Sequence, residues 1–170
     1  MRLTLLVLLA TPACGAPPPP PAPPASAVTA DLPPPIWTPL PAGRRLLQSE
    51  QSAGSEPGVR VVRSRAEWEA VWSREIHLPP AAPPAPAVDF TRDEVVVVFA
   101  GQVSSGGHAV EVLGTARAAG GAHRLRIRRT RQAPDCMASA VMGAPVDVIR
   151  LPRSTGEPVP SWETHEAPCQ

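Results

Sequence analysis

Few residues in this chain have side chains suited to catalysis, and their spacing is informative. Four histidines and three cysteines are present, with no tyrosine. His77, His108, His123 and His165 fall in no H-x-H, H-E-x-x-H or C-x-x-C arrangement, the spacings that bring two metal ligands together. His165 and Cys169 are four apart, but near a terminus and without obvious companions. Ser104-Ser105-Gly106-Gly107 sets hydroxyls beside glycines. A nucleophile elbow needs G-x-S-x-G at a strand-to-helix turn, which this segment lacks. A phosphate cradle needs a helix N-terminus or a lysine after the glycines, and here an alternating, strand-like segment follows. No nucleophile–base pair, cofactor motif or metal set emerges, so the expectation is a protein that is not an enzyme and carries no cofactor or metal.

The cysteines divide by position. Cys14 follows Met1-Arg2, an apolar stretch over 3–10 and the small residues Thr11-Pro12-Ala13. Charge, apolar run, then small residues is the order of a secretory signal. The run is too short to span a bilayer as a helix. A small residue before a cysteine at this place resembles the lipobox of bacterial lipoproteins, where the cysteine is diacylated and becomes the mature N-terminus. The alternative is an ordinary cut near Gly15 or Ala16. Residues 1–14 are therefore expected to be a signal peptide with a lipobox, and Cys14 the lipidation site that anchors the protein to a membrane of the bacterial cell envelope. Several acyl chains together hold a protein stably on a membrane.

Residues 15–35 form a proline-rich tether. Proline fixes φ and lacks an N–H, so such runs are extended spacers of about 3.1 Å per residue. Cys136 and Cys169 remain. In an oxidising compartment a leftover pair favours a disulfide over two free thiols.

Residues 36–170 must hold the folded domain. All 16 basic residues are arginine, the codon bias of a GC-rich genome, and a net charge of +1 gives no pull toward nucleic acid. Strands are expected over 44–52, 59–63, 94–100, 108–118, 123–131, 146–151 and 159–164. Ser64 and Glu67 spell a capping box. Trp68, Val71, Trp72 and Ile76 follow at helical spacing and end before Pro79. On an amphipathic helix such tryptophans are core more often than a ligand platform. Val95 to Val98 with Phe99 is the pattern of a strand buried on both faces. Arg124, Arg126 and Arg128 alternate with Leu125 and Ile127, the pattern of a solvated face opposite a buried one. Five arginines between 124 and 131 also suit an acidic partner or anionic head groups. The class is α+β: a mostly antiparallel β-sheet of six or seven strands with one short helix packed on it.

The order of these pieces resembles a known family. Ser64-Arg65-Ala66-Glu67-Trp68, then Asp89-Phe90-Thr91-Arg92-Asp93-Glu94-Val95, then Gly106-Gly107-His108-Ala109-Val110-Glu111-Val112 are similar to segments of the protease complex subunit PrcB family. Ala133-Pro134-Asp135-Cys136-Met137 and residues 145–153 are similar to its closing loop and strand. The resemblance covers about 59–153. It implies an exported accessory domain that associates with and stabilises another envelope or secreted protein, such as a protease complex, and it carries over no catalytic residue. The loop Ser104, Ser105, Gly106, Gly107 and His108, between two strands, is the expected partner surface. A small-ligand or envelope-polymer binding module is the alternative, and an unrecognised hydrolase a third.

Overall fold

The run from Val95 to Phe99 determines the architecture. In the computed structural model it lies in β4 (Asp93–Phe99). Side chains alternate along a strand, so a run apolar at every position must be covered on both faces. Val95, Val97 and Phe99 join one core with Val62, Trp68, Trp72 and Ile76. Val96 and Val98 join another with Val110, Val112, Leu125, Ile127, Ile149 and Leu151. All four valines are fully buried. The structure describes residues 34–54, 56–77, 80, 82–137 and 139–169, and these include eight strands. Cys14, the signal reading and most of the tether lie outside the described residues.

β4 sits inside a sheet ordered β2 (Arg45–Ser49), β7 (Val146–Pro152), β4 and β3 (Gly58–Val62), antiparallel throughout. The second sheet runs β1 (Thr38–Pro39), β5 (Ala109–Arg117), β6 (His123–Gln132) and β8 (Val159–Ala167). Its β5–β6 pair is the hairpin expected from the alternation, closed around Gly120 and Gly121. β8 pairs with β6 in parallel, the one departure from antiparallel pairing among the described strands. The layers are thus sheet, sheet, helix. The class is α+β with mostly antiparallel pairing and one helix, as expected, and because the two faces of β4 meet different layers the strands are divided between two sheets.

The helical layer is α1 (Arg65–Val71), continued by a π-helical turn (Trp72–Ile76). Ser64 Oγ accepts the Glu67 amide at 3.3 Å, as the capping box requires. The Glu67 carboxylate reaches back to the Arg63 amide at 3.4 Å, one residue earlier than the motif predicts. Trp68 and Trp72 are buried, as expected. A buried indole N–H needs an acceptor. Trp68 donates to the Pro86 carbonyl at 2.9 Å and Trp72 to the Pro83 carbonyl at 2.7 Å. Proline-rich backbone forms no ladder, so its carbonyls remain free for this use. The second proline-rich stretch thereby becomes part of the core's cover.

The sheets are also tied by charge. Asp147, fully buried on β7, accepts Arg45 Nε at 2.9 Å and the Val112 amide of the opposite sheet at 2.7 Å. A register shift between Val112 and Gly114 breaks the β5–β6 ladder there. The bulge exposes backbone groups that regular pairing would occupy, and Arg45 Nη2 takes the Val112 carbonyl at 2.9 Å. Gly114 permits the close crossing of β1, since a Cβ there would stand 2.6 Å from the Thr38 carbonyl oxygen.

Candidate binding surface

The sequence-predicted loop of Ser104, Ser105, Gly106, Gly107 and His108 leaves the central strand β4 and enters β5. Ser104 and Gly107 are exposed; Ser105, Gly106 and His108 are half-buried. Ser105 Oγ and His108 Nε2 are hydrogen-bonded at 3.0 Å. Gly107 has φ +77°, a left-handed conformation that costs glycine nothing, and a Cβ there would stand 3.0 Å from the Gln132 side chain.

This loop does not stand alone. The segment between β6 and β7 folds against it. Val103 and Gly143 exchange both backbone hydrogen bonds, at 2.8 and 2.9 Å, and the Gly106 amide donates to the Ser139 carbonyl at 2.9 Å. That segment carries Met137 at 99 % exposure, Met142 at 62 % and Val141 at 46 %. This one braced segment thus presents three apolar side chains to water. Its brace is the Cys136–Cys169 disulfide, with Cα atoms 5.2 Å apart, which pins the end of β8 to the start of this segment. The bridge expected from the cysteine arithmetic is therefore present, and two free thiols are not. An Asp135 carboxylate oxygen lies within 4.8 Å of both sulfurs, but the bridge leaves the group only one carboxylate for a metal.

Beside the same loop a cavity of about 250 Å³ is lined by His108, Arg129, Thr130, Arg131 and Thr164. Arg129 lies over the Trp162 ring with its guanidinium carbon 4.3 Å from the ring centroid. The sequence reading set the β6 arginines on a solvated face. That holds for Arg126, which is exposed and pairs with Glu163 at 2.9 Å, and Arg128 pairs with the same carboxylate at 3.0 Å. It fails for Arg129, which shares the inward parity of Leu125 and Ile127. The signal was the adjacent pair Arg128-Arg129, because in a period of two one of them must turn inward.

At the other end of the domain sits a buried polar cluster that the sequence reading did not anticipate. Glu94, 1 % exposed, accepts Arg63 Nε at 3.0 Å and the Ser154 hydroxyl at 2.7 Å. His123, 4 % exposed, has Nε2 3.8 Å from the Glu94 carboxylate and 2.7 Å from the Pro152 carbonyl. Serine, glutamate and histidine together invite comparison with a hydrolytic triad. The hydrogen bonding differs, since Ser154 donates to the carboxylate and His123 to a backbone carbonyl. No base takes the serine proton, so the cluster ties the residue after β3 to β4, the start of β6 and the segment after β7. A groove of about 300 Å³ opens beside it, bounded by Ile36, Arg44, Arg117 and His123.

Comparison with known proteins bears on residues 95–152, which match the PrcB C-terminal family. The match spans β4 to β7 and includes the 104–108 loop, the arginine strand and the Met137–Met142 segment. It thus agrees with the family that the sequence pieces resembled, over the strongest part of that resemblance. No curated protein and no solved structure matches the chain.

Proposed function

We propose that this chain is an exported, membrane-anchored binding protein, acylated at Cys14, whose PrcB-like domain associates with another envelope or secreted protein rather than turning over a substrate. The observation that carries the reading is the exposed trio Met137, Val141 and Met142, on a segment laced to the 104–108 loop and fixed by a disulfide. Flexible, polarisable methionines suit a protein contact, and the brace limits the ordering cost of binding. The resemblance to the PrcB family points to a protease complex as the kind of partner. A proline tether would hold this surface away from the membrane.

The test is site-specific photo-crosslinking in cells. A photoreactive residue at Met142 is expected to yield one defined adduct with an exported protein, and the same residue at Arg117 none. Equal adducts from both positions, or none from Met142, would overturn the reading. Labelled palmitate incorporated by the wild type and not by Cys14→Ala tests the anchor separately. A second reading, a small-ligand module, is favoured by the 300 Å³ groove at His123, a size at the low end of ligand sites. Crosslinks confined to Arg117 would support it.

A further inference from the structure

Four of the β6 arginines are readily accounted for. Arg126 and Arg128 share Glu163, Arg131 pairs with Glu166, and Arg124 lies on the outer face at the strand's start. Arg129 is different: among the described residues it meets no carboxylate. It occupies the inner face between Val110 of β5 and Thr164 of β8, where the core between the sheets opens to solvent. We propose that the cavity built around Arg129 binds a carboxylate, presented as an acidic side chain by the protein partner.

Three observations support the assignment. The Trp162 ring holds the guanidinium carbon 4.3 Å from its centroid, a cation–π contact that uses none of the guanidinium N–H donors. A planar fork is the natural complement of a carboxylate, which it grips through two parallel bonds. Second, Arg129 Nε is buried without a hydrogen-bond partner. An unmet buried donor is costly, and a bound oxygen removes that cost. Third, the charge balance favours a monoanion. Glu166 already neutralises Arg131, leaving a single uncompensated guanidinium in the cavity, whereas a phosphate dianion would bring excess charge. Thr130 and Thr164 contribute to the wall. The cavity shares His108 with the 104–108 loop, so an acidic residue bound here would flank an apolar contact at Met142. The partner's identity as a protein rests on the function proposed above; the carboxylate chemistry does not.

The test uses the full mature chain, labelled with ¹⁵N, and three probes: N-acetyl-glutamate amide, its neutral glutamine counterpart and inorganic phosphate. The carboxylate is expected to move the Arg129 Nε–H and Trp162 indole signals saturably, and more weakly as salt is raised. The glutamine probe should bind at least tenfold more weakly. Arg129→Met should reduce carboxylate affinity at least tenfold. Arg129→Lys, which keeps the charge and loses the fork, should reduce it severalfold, and Arg124→Met should leave it unchanged. Thermal unfolding of each variant checks the fold. Absence of a saturable response, an undiminished response in both Arg129 variants, or tighter binding of phosphate than of carboxylate would overturn the assignment. Carboxylate binding without a Met142 crosslink would sink the protein-partner reading alone, and the converse would sink the carboxylate site alone.

Discussion

Asp147 and Val112 belong to different sheets, yet the Asp147 carboxylate accepts the Val112 amide at 2.7 Å. The bond sits beside the irregularity of β5, whose register with β6 shifts between Val112 and Gly114, and beyond the reach of β1, which pairs only with Gly114 and Thr115. Arg45 completes the junction, since it holds the same carboxylate and also donates to the Val112 carbonyl. Arg45→Met is expected to lower stability by about 3 kcal/mol, the lower end for breaking a buried pair, because Arg45 itself is 30 % exposed. Urea unfolding measures this, and a loss below about 1 kcal/mol would show that water replaces the arginine.

Titration of two carboxylates should differ in sign. Burial raises Asp147 above its ordinary 3.8, against the opposing pull of the Val112 amide and Arg45. In the window just above 3.8 the folded state therefore keeps a proton that the unfolded chain releases, so this group's contribution to stability falls as pH rises through that window. Glu163 is lowered from 4.5, chiefly by its hydrogen bond from Arg126 and then from Arg128. Its contribution is present above 4.5 and is lost as pH falls toward the folded value. Carboxyl carbon shifts followed by NMR should place Asp147 above and Glu163 below the ordinary values. The reverse order would contradict the geometry.

Trp72→Phe is expected to cost about 1 to 3 kcal/mol, because it strips the Pro83 carbonyl of its indole donor while keeping an aromatic ring in place. Trp72→Ala should cost about 3 to 5 kcal/mol. Emission from the wild type should be blue-shifted for the buried indoles. Unfolding midpoints unchanged in both variants would place the ring outside the core.

Reduction of Cys136–Cys169 should destabilise the oxidised domain by about 3 to 4 kcal/mol on the loop-entropy estimate for its 33-residue separation. Faster amide exchange should concentrate in β8, whose residues are nearly all exposed. Uniform acceleration across β4 and β7 would instead mean that the bridge supports the whole fold.

Much of this fold is legible in the sequence because burial imposes period and composition. Val95 to Phe99 announces a strand covered on both sides, Ser64 and Glu67 announce a helix start, and the alternation on either side of Gly120-Gly121 announces a hairpin. Strand direction is not encoded that way. β8 has the same alternation whether it runs with β6 or against it, so its parallel pairing was invisible. The buried acids were partly visible: Asp147 stands in Val-Asp-Val-Ile-Arg-Leu, where neighbours on both faces are apolar, and a charge so placed must have a partner. Which partner it had could not be read, because Arg45 lies about a hundred residues away, with a separation of 102. The 104–108 loop was legible as a loop, but its cover, the 133–145 segment, follows from tertiary packing alone.

The parallel β8 also bears on how the chain is assembled. Neither hydrophobic core contains a buried residue later than Leu151. By the time Pro152 has emerged from synthesis, every apolar contact of those two cores can form, whereas β8 and Cys169 arrive afterwards. The last strand then closes like a latch over a finished lock, and oxidation fastens it. Because the latch includes Trp162, its closure also completes the contact on Arg129.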